Sequence, residues 1–415
     1  MKKKHLLFRN KNFFLLWSGQ LISNIGTIFY RIAYMWWITR ASGSPLIVSQ
    51  IVLLSILPGI FFGMIAGKFS DKFNQKWIIV ITDLLQGLVI LWITIVAFRR
   101  KLHLYHFYIT AMLSSLLISF FRPAIFTAIP RLVAKEDLVV ANSLHSLSKN
   151  FSNILGPALS GIIVATLGVE IAFLINALSF LISAFAELFI QMPESQRKHK
   201  EEKKNKSFIA DIKESFVQVL NIPIARYGII IFGMVNFLLT PLNLITFVAE
   251  KLNVGANGYG ILQTSEGIGL MGISMILGTE FVKKRLKPGR MNVLAISLLA
   301  GSIIIVGLSN IFILTCLAQL LIGIAVGMAA ILLNSSLQTH IDKECLGMFV
   351  GIRNMVMDFL MPLGLLLNGF FANLYSVNLI LVVSGILMFS NLVWILKFNG
   401  AISKKESQNV DTIEA

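Results

Sequence analysis

Long apolar runs recur along this sequence and are separated by short polar segments rich in lysine and arginine. Two of these runs, residues 45–66 and residues 77–98, carry one charged residue between them, Asp83. An apolar run of ~20 residues is long enough to cross a bilayer as a helix, and a helix satisfies its own backbone hydrogen bonds there. The pattern therefore predicts a helical membrane protein.

The composition agrees with this interpretation. Of the 415 residues, 13% are charged and 56% are hydrophobic, whereas a soluble domain has about 25% charged residues. We predict an all-α polytopic membrane protein in which roughly twelve transmembrane helices form two pseudo-symmetric six-helix bundles. The predicted spans lie near residues 13–39, 45–67, 77–98, 105–127, 141–167, 170–192, 225–249, 257–281, 291–309, 311–338, 347–374 and 377–398.

The longest polar segment divides the spans into two equal groups. It contains a run of charges without apolar periodicity, which is typical of a solvated linker. The predicted organisation is an N-terminal bundle at residues 1–192, a cytoplasmic linker at 193–222, a C-terminal bundle at 223–400 and a polar tail at 401–415. We expect the tail to be cytoplasmic and disordered.

The charge is strongly positive, at +16, but the basic residues lie between the spans. This distribution argues against a basic face for nucleic acid, because such a face would be continuous. It fits a protein of the cytoplasmic membrane with both termini in the cytoplasm, whose basic loops contact anionic lipid headgroups. The two cysteines, Cys316 and Cys345, predict no disulfide framework.

The segment between the second and third spans carries a distinctive spacing of Gly67, Asp71, Lys72 and Lys76. It resembles the signature loop of the major facilitator superfamily, with departures at Asn74 and Gln75. The alternative is an ordinary basic cytoplasmic turn. The resemblance implies a gate in which Asp71 contacts a neighbouring helix start or Arg131. A glycine with a basic cluster at residues 278–285 repeats part of this pattern and favours two related halves.

Further motifs resemble the macrolide-efflux-type branch of the drug:proton antiporters within this superfamily. They are Phe-Arg-Pro-Ala at 121–124, Ile-Pro-Arg-Leu-Val at 129–133, Ala-Asn-Ser-Leu at 141–144, Thr-Pro-Leu-Asn at 240–243, Glu266, and Met-Pro-Leu-Gly at 361–364. In the fifth span, Gly156, Pro157 and Gly161 resemble the antiporter motif. A plain kinked helix is the alternative for this span. Gly347-Met348 departs from the branch, which commonly has Gly-Arg there, and this puts a cytoplasmic gate contact in doubt.

Charged side chains inside predicted spans are the candidates for coupling or substrate binding. Each costs about 2.5–3.5 kcal/mol at a helix centre, so we expect each to be paired or to line a cavity. The candidates are Arg31, Asp83, Arg122, Glu266 and Asp358.

Several alternatives remain open for these charges. Asp83 and Arg122 lie at equal depth in adjacent spans, which permits an ion pair, but Arg122 could instead line the cavity or reach the membrane interface. Glu266, beside small residues, could bind a proton or a cationic drug, or it could be a satisfied structural charge. Asp358 is the next candidate for coupling. Glu187 lies near the predicted cytoplasmic boundary, which favours an interfacial residue.

The sequence shows no catalytic constellation, no metal-ligand spacing and no phosphate-cradling loop. We therefore expect neither an enzyme nor a metal or other cofactor, and an ion gradient as the energy source. The resemblance implies a monomeric secondary transporter that exports an amphipathic, often cationic compound, such as a macrolide-type antibiotic, in exchange for protons. The alternatives are a transporter of an endogenous peptide, lipid or siderophore-like product, and a membrane-embedded enzyme or receptor.

Overall fold

The computed structural model describes residues 6–192, 216–277 and 288–414, and these ranges are helical with no strand. Within them, eleven segments are long and apolar enough to cross a membrane. The predicted fold class, an all-α polytopic membrane protein, is confirmed. Two predicted features, the glycine repeat at 278–285 and most of the linker, at 193–215, lie outside the described residues.

The chain forms two compact units. The first comprises Met1–Arg197 and Ile245–Thr264, and the second comprises Lys198–Leu244 and Ser265–Ala415. The predicted organisation placed residues 245–264 in the C-terminal bundle, so the unit boundary differs there. The segment packs with the first unit, where the hydroxyls of Thr39 and Thr246 share a hydrogen bond of 2.6 Å.

Eight helices in the N-terminal part of the chain belong to the first unit. They are α1 (Leu6–Arg9), α2 (Lys11–Ser42), α3 (Pro45–Leu54), α4 (Leu57–Lys72), α5 (Gln75–Phe98), α6 (Leu104–Leu132), α7 (Leu138–Leu167) and α8 (Val169–Leu188). Helix α8 packs against α2 and α5, while α6 packs against α4 and α5. An apolar cluster that includes Phe13, Ile79, Ala128 and Ile129 joins the predicted cytoplasmic ends of these helices.

Helix α2 corresponds to the predicted first span, but it is not among the eleven apolar segments. Its 32 residues span about 48 Å, which is long enough to cross a bilayer. It begins where the Asn10 side chain accepts a hydrogen bond from the Phe13 N–H, and it ends at Gly43 in the left-handed region, at φ 57°. Polar residues such as Gln20 and Ser23 lower its hydropathy, and both are buried against other helices.

The remaining helices follow the predicted linker. They are α9 (Pro223–Leu239), α10 (Ile245–Lys251), α11 (Gly255–Leu277), α12 (Pro288–Leu308), α13 (Phe312–His340), α14 (Lys343–Leu374), α15 (Val377–Met388) and α16 (Asn391–Glu414). In the second unit, α9 packs against α14 and α16, and α12 packs against α13 and α15.

Three spans that the sequence predicts as continuous are broken helices. The breaks separate α3 from α4, α9 from α10, and α15 from α16. Pro58 lies in the first turn of α4, and Pro241 lies in the 3-10 turn Thr240–Leu244 between α9 and α10. Proline lacks a backbone N–H and disfavours helical geometry in the residue before it, so it ends the preceding helix.

The predicted disorder of the tail is wrong for residues 401–414, because α16 continues through them. Tertiary contacts help to hold this helix. Lys405 donates hydrogen bonds to the carbonyl oxygen of His340, at 2.9 Å, and to the carboxylate of Asp342, at 3.2 Å. The sequence around residues 401–408 is also rich in good helix formers, which the polar composition concealed.

Candidate functional site

A cavity of about 440 Å³ opens within the first unit. Side chains from α2, α5, α6, α7 and α8 line it. Its apolar wall includes Ile28, Ile118, Phe121, Phe126 and Phe180. Its polar lining includes Asn24, Asn142 and Asn153, together with Gln20, Gln86, Ser23, Ser152, Thr27 and Thr82. A mixed lining of this kind suits an amphipathic small molecule.

Three cationic side chains, Arg31, Arg122 and Lys149, line this cavity and are exposed to it. Ion pairs within the described residues join Arg9 to Asp137 and Lys405 to Asp342, and none of the three cations takes part in either. One carboxyl group, that of Asp83, belongs to the lining. The charge of this wall is therefore mainly positive.

The structure contradicts the predicted ion pair between Asp83 and Arg122. Asp83 is 2% exposed and its Oδ2 atom has no hydrogen-bond partner among the described residues, while Arg122 is exposed. Equal depth in two adjacent helices determines only the position of each side chain along the membrane normal. The rotation of α5 about its axis turns the Asp83 carboxyl towards α8. Arg122 instead lines the cavity, which was the second of the predicted alternatives.

The Asp83 carboxyl lies beside a second acidic side chain, Glu187 of α8. The Oε1 atom of Glu187 accepts a hydrogen bond from Gln20 Nε2, at 3.2 Å, and another from Ser183 Oγ, at 3.2 Å. The Ser183 hydroxyl also faces the Asp83 carboxyl. These side chains connect α2, α5 and α8.

The interpretation of Glu187 as an interfacial residue is wrong, because the side chain is 0% exposed and enclosed by helices. A signal for this position was present in the sequence. Ser179, Ser183 and Glu187 recur every four residues, which places them on one face of a helix. All three are buried, so this face is a polar stripe directed into the unit.

The Gly67 loop is shorter than the sequence suggested, because α4 continues to Lys72 and only Phe73 and Asn74 separate it from α5. Lys76 lies in the first turn of α5, and its Nζ atom is 5.5 Å from the centroid of the Trp77 ring. Among the described residues, nothing lies within 4 Å of the position that a Gly67 Cβ would take. Gly67 therefore makes no close contact with another helix in the described part of the structure.

Gln75, one of the departures from the signature pattern, ties this loop to α6. Arg131 Nη1 donates a hydrogen bond to Gln75 Oε1 at 2.5 Å, and Gln75 Nε2 donates one to the Ser70 carbonyl oxygen at 2.7 Å. Gln75 is 1% exposed. The predicted partner of Arg131 was Asp71, whose side chain lies outside the described part of the structure.

The Gly156-Pro157 motif lies inside α7, where its neighbours approach closely. A Cβ on Gly156 would lie 2.6 Å from a methyl carbon of Ile28, and one on Gly161 would lie 2.8 Å from the Ala256 carbonyl oxygen. A Cβ on Gly260 of α11 would collide with the Pro157 carbonyl oxygen. Small residues at these positions therefore let the backbones of α7 and α11 come into contact.

The two carboxyls predicted in the C-terminal half occupy different settings. Glu266 lies on α11 and is half-buried, and Asp358 lies on α14 and is exposed. A Cβ on Gly323 would collide with the Glu266 carbonyl oxygen, so α11 and α13 meet at this level.

Sequence reasoning missed Arg353, a cation inside the span Cys345–Leu374. Its Nη1 atom donates a hydrogen bond to Asn334 Oδ1 at 2.5 Å, and its guanidinium lies 5.0 Å from the centroid of the Phe232 ring. The amide and the ring thus compensate a charge inside a helix bundle.

A helical membrane protein with a polar cavity and charged residues at membrane depth has the features of a transporter. The family model described as transmembrane secretion effector matches residues 5–414. The chain therefore belongs to this family of major facilitator transporters, and it is a multi-pass membrane transporter of that type rather than an enzyme.

Two relatives support this assignment. Macrolide efflux protein A of Streptococcus pyogenes is 24% identical over 382 residues, which cover 91% of this chain and 93% of the relative. The multidrug efflux pump Tap of Mycobacterium tuberculosis is 25% identical over 367 residues, which cover 86% of each chain. The predicted resemblance to macrolide-efflux proteins is confirmed.

Solved structures show the same fold. The nucleoside transporter NupG aligns with a TM-score of 0.71 at 14% identity, over 94% of this chain and 98% of that chain. A bacterial homologue of the iron transporter ferroportin, in an inward-facing state, aligns with a TM-score of 0.72 at 14% identity, over 93% and 98%. At this level of identity the likeness concerns the fold alone.

Proposed function

We propose that this protein exports amphipathic compounds of the macrolide type across the cytoplasmic membrane, driven by protons that move in the opposite direction. The observation that carries the proposal is the cavity of the first unit, whose wall combines aromatic and aliphatic side chains with amides, three cations and a buried carboxyl. The family and the efflux relatives support the direction of transport.

The lining of the cavity bears on the chemistry of the transported compound. Arginine, lysine and asparagine side chains supply many hydrogen-bond donors, which suit the ester, ketone and hydroxyl oxygens of a macrolide. The aromatic wall suits its apolar ring face. The three cations do not favour a cationic group at this wall. Within the second unit, we propose Glu266 as the acceptor for the amine of a cationic compound, with Asp358 as the second candidate.

The rest of the proposal concerns the cytoplasmic gate, the oligomeric state and the membrane orientation of the protein. We propose that Asp71, Lys72, Lys76 and Arg131 act in a cytoplasmic gate, and that Gly156, Pro157 and Gly161 let the helix packing change during transport. The protein would work as a monomer with both termini in the cytoplasm, in contact with anionic lipids and without a cofactor. The basic loops and the polar ends of the spans support this orientation.

Purified protein in proteoliposomes provides the test. We expect a radiolabelled macrolide to accumulate against its concentration gradient when a pH gradient is imposed, and a protonophore to abolish the accumulation. Overproduction in a susceptible bacterium should raise the inhibitory concentration of the same compound. Accumulation that does not depend on the pH gradient would refute proton coupling. A drug panel in which overproduction raises no inhibitory concentration would favour an endogenous product as substrate.

The assignment of Glu266 makes a separate prediction. Replacing Glu266 with Gln removes a charged acceptor but keeps the shape of the side chain. A hydrogen bond to a charged group contributes about 1.5–3 kcal/mol, so KM for an amine-bearing macrolide should rise about tenfold or more. The KM for an uncharged analogue should stay within about twofold, since it lacks the group that Glu266 binds. Equal effects on both compounds would remove Glu266 from substrate recognition.

A further inference from the structure

Two acidic side chains are buried together within the membrane-spanning part of the first unit. Asp83 of α5 and Glu187 of α8 are 2% and 0% exposed, and both helices are apolar enough to cross a membrane. Acidic residues inside transmembrane helices are rare, and they mark substrate, ion or proton pathways. The mutual repulsion of two ionised carboxyls would make this arrangement costly.

Within the described residues, no ion pair compensates the charge of these two carboxyl groups. Among the described residues, no lysine, arginine or histidine makes an ion pair with either carboxyl group. One oxygen of each carboxyl, Oδ2 of Asp83 and Oε2 of Glu187, is buried and has no hydrogen-bond partner in the described part of the chain. Buried polar atoms normally find a partner, so these two oxygens are open acceptor sites.

Ser183 lies between the two carboxyl groups. Its hydroxyl donates a hydrogen bond to Glu187 Oε1 at 3.2 Å, and the same hydroxyl faces the Asp83 carboxyl. A hydroxyl has one proton to donate, so Ser183 does not satisfy two carboxylates at once. Two neighbouring carboxyls with one shared donor are less costly to bury when one of them holds a proton.

We propose that Asp83 and Glu187 form a shared site for one exchangeable proton in this transporter. Asp83 lines the cavity and Glu187 lies behind it, joined through Ser183, so Asp83 is the point of entry and exit. A carboxylate oxygen takes the proton from a hydronium ion in the cavity, which becomes water, and the reverse step releases it. The inference rests on the proposed proton coupling and gives it a site.

Basic side chains lie on the cavity side of the pair. The charged and titratable groups of the neighbouring helices that line the same cavity are Arg31 of α2, Arg122 of α6, and His145 and Lys149 of α7. These groups are basic, so their charge favours an ionised Asp83 and release of the proton into the cavity.

The first test is infrared spectroscopy of the purified, lipid-reconstituted protein during a pH titration. We expect a carbonyl band of a protonated carboxyl group that shifts in D₂O and disappears as the pH is raised. In the variants Asp83→Asn and Glu187→Gln the band should be lost or its midpoint pH displaced. Glu170→Gln is the matched control, because Glu170 lies at the opposite end of α8, and it should leave the band unchanged.

Several outcomes would overturn the proposal. An unchanged titration in both Asp83→Asn and Glu187→Gln would do so. Should these variants fail to fold, the absence of any protonated carboxyl band in the wild-type protein would decide against the site. Loss of the band on adding sodium at constant pH, with choline as the control cation, would show a sodium site instead.

Transport measurements separate this inference from the proposed function. Asp83→Asn and Glu187→Gln should each lose pH-driven accumulation of substrate while retaining downhill exchange, and Glu170→Gln should keep both. If the wild-type protein responds to the pH gradient and both variants respond equally well, the proton site is refuted and proton-coupled export stands. If the wild-type protein ignores the gradient, the proposed function fails, and the infrared titration still decides whether the pair binds a proton.

Discussion

Gln75 shows how one uncharged side chain can organise a loop that the sequence assigns to its charged residues. Its amide group accepts from Arg131 and donates to the Ser70 carbonyl, so it connects α4, α5 and α6 at one point. Both bonds are shielded from water because Gln75 is buried. Buried hydrogen bonds to charged groups contribute more than exposed ones.

Replacing Gln75 with Ala should therefore destabilise the first unit. The change leaves the Arg131 guanidinium and the Ser70 carbonyl without these partners, which costs about 1–3 kcal/mol. We expect a lower Tm of the purified protein in detergent. Lys135→Ala, an exposed position at the same end of the helices, is the control and should leave Tm unchanged. Equal Tm values for both variants would show that the bridge contributes nothing to stability.

A double-mutant cycle at Asp83 and Arg122 distinguishes the structure from the ion pair that the sequence suggested. Because the two side chains form no ion pair, the effects of Asp83→Ala and Arg122→Ala on the free energy of unfolding should add. We expect a coupling energy below about 0.5 kcal/mol. The measurement is reversible unfolding in mixed micelles. A double variant more stable than either single variant would instead support an ion pair between the two side chains.

The packing of α7 against α11 explains why glycine occupies positions 161 and 260. The Gly260 position lies against the Pro157 carbonyl group of α7, and Gly161 lies against Ala256. Backbone-to-backbone contact of this kind depends on the absence of a Cβ atom. A proline in α7 also removes one helix hydrogen bond, which makes bending at this point easier.

Gly260→Ala should separate the two helices. A Cβ atom at this position meets backbone, which cannot rotate away, and overpacking of this kind costs typically 1–3 kcal/mol. We expect a lower Tm and slower transport. Gly272→Ala on the same helix is the matched control, because nothing in the described structure lies within 4 Å of its Cβ position. A Gly260→Ala protein that matches the control in both assays would disprove the close-approach argument.

The orientation of the whole molecule can be tested with its own cysteines. Cys345 lies in the first turn of α14, at an end that the basic loops assign to the cytoplasm, and Cys316 lies within α13. In a Cys316→Ala background, a membrane-impermeant maleimide should label Cys345 in inside-out vesicles and not in intact cells. Labelling in intact cells alone would reverse the proposed orientation of both termini.

Local features of the sequence were enough to predict the class of this molecule. Apolar runs of bilayer length and basic loops follow from the solvent that each segment meets, and this requirement acts on each segment separately. The motifs around Gly67, Arg122 and Gly156 likewise indicated the family from local sequence alone. The breaks at Pro58 and Pro241 were also open to local reasoning, since proline acts on its own helix.

The direction in which each charged side chain points depends on packing between helices, which no single segment contains. Span length and depth fix the height of Asp83 and Arg122 in the membrane, but the rotation of a helix about its axis is set by packing against its neighbours. That rotation brings Asp83 to Glu187 and leaves Arg122 at the cavity. The hydrogen bonds of Gln75 and the buried site at Glu187 arise between helices distant in sequence, so no local pattern contains them.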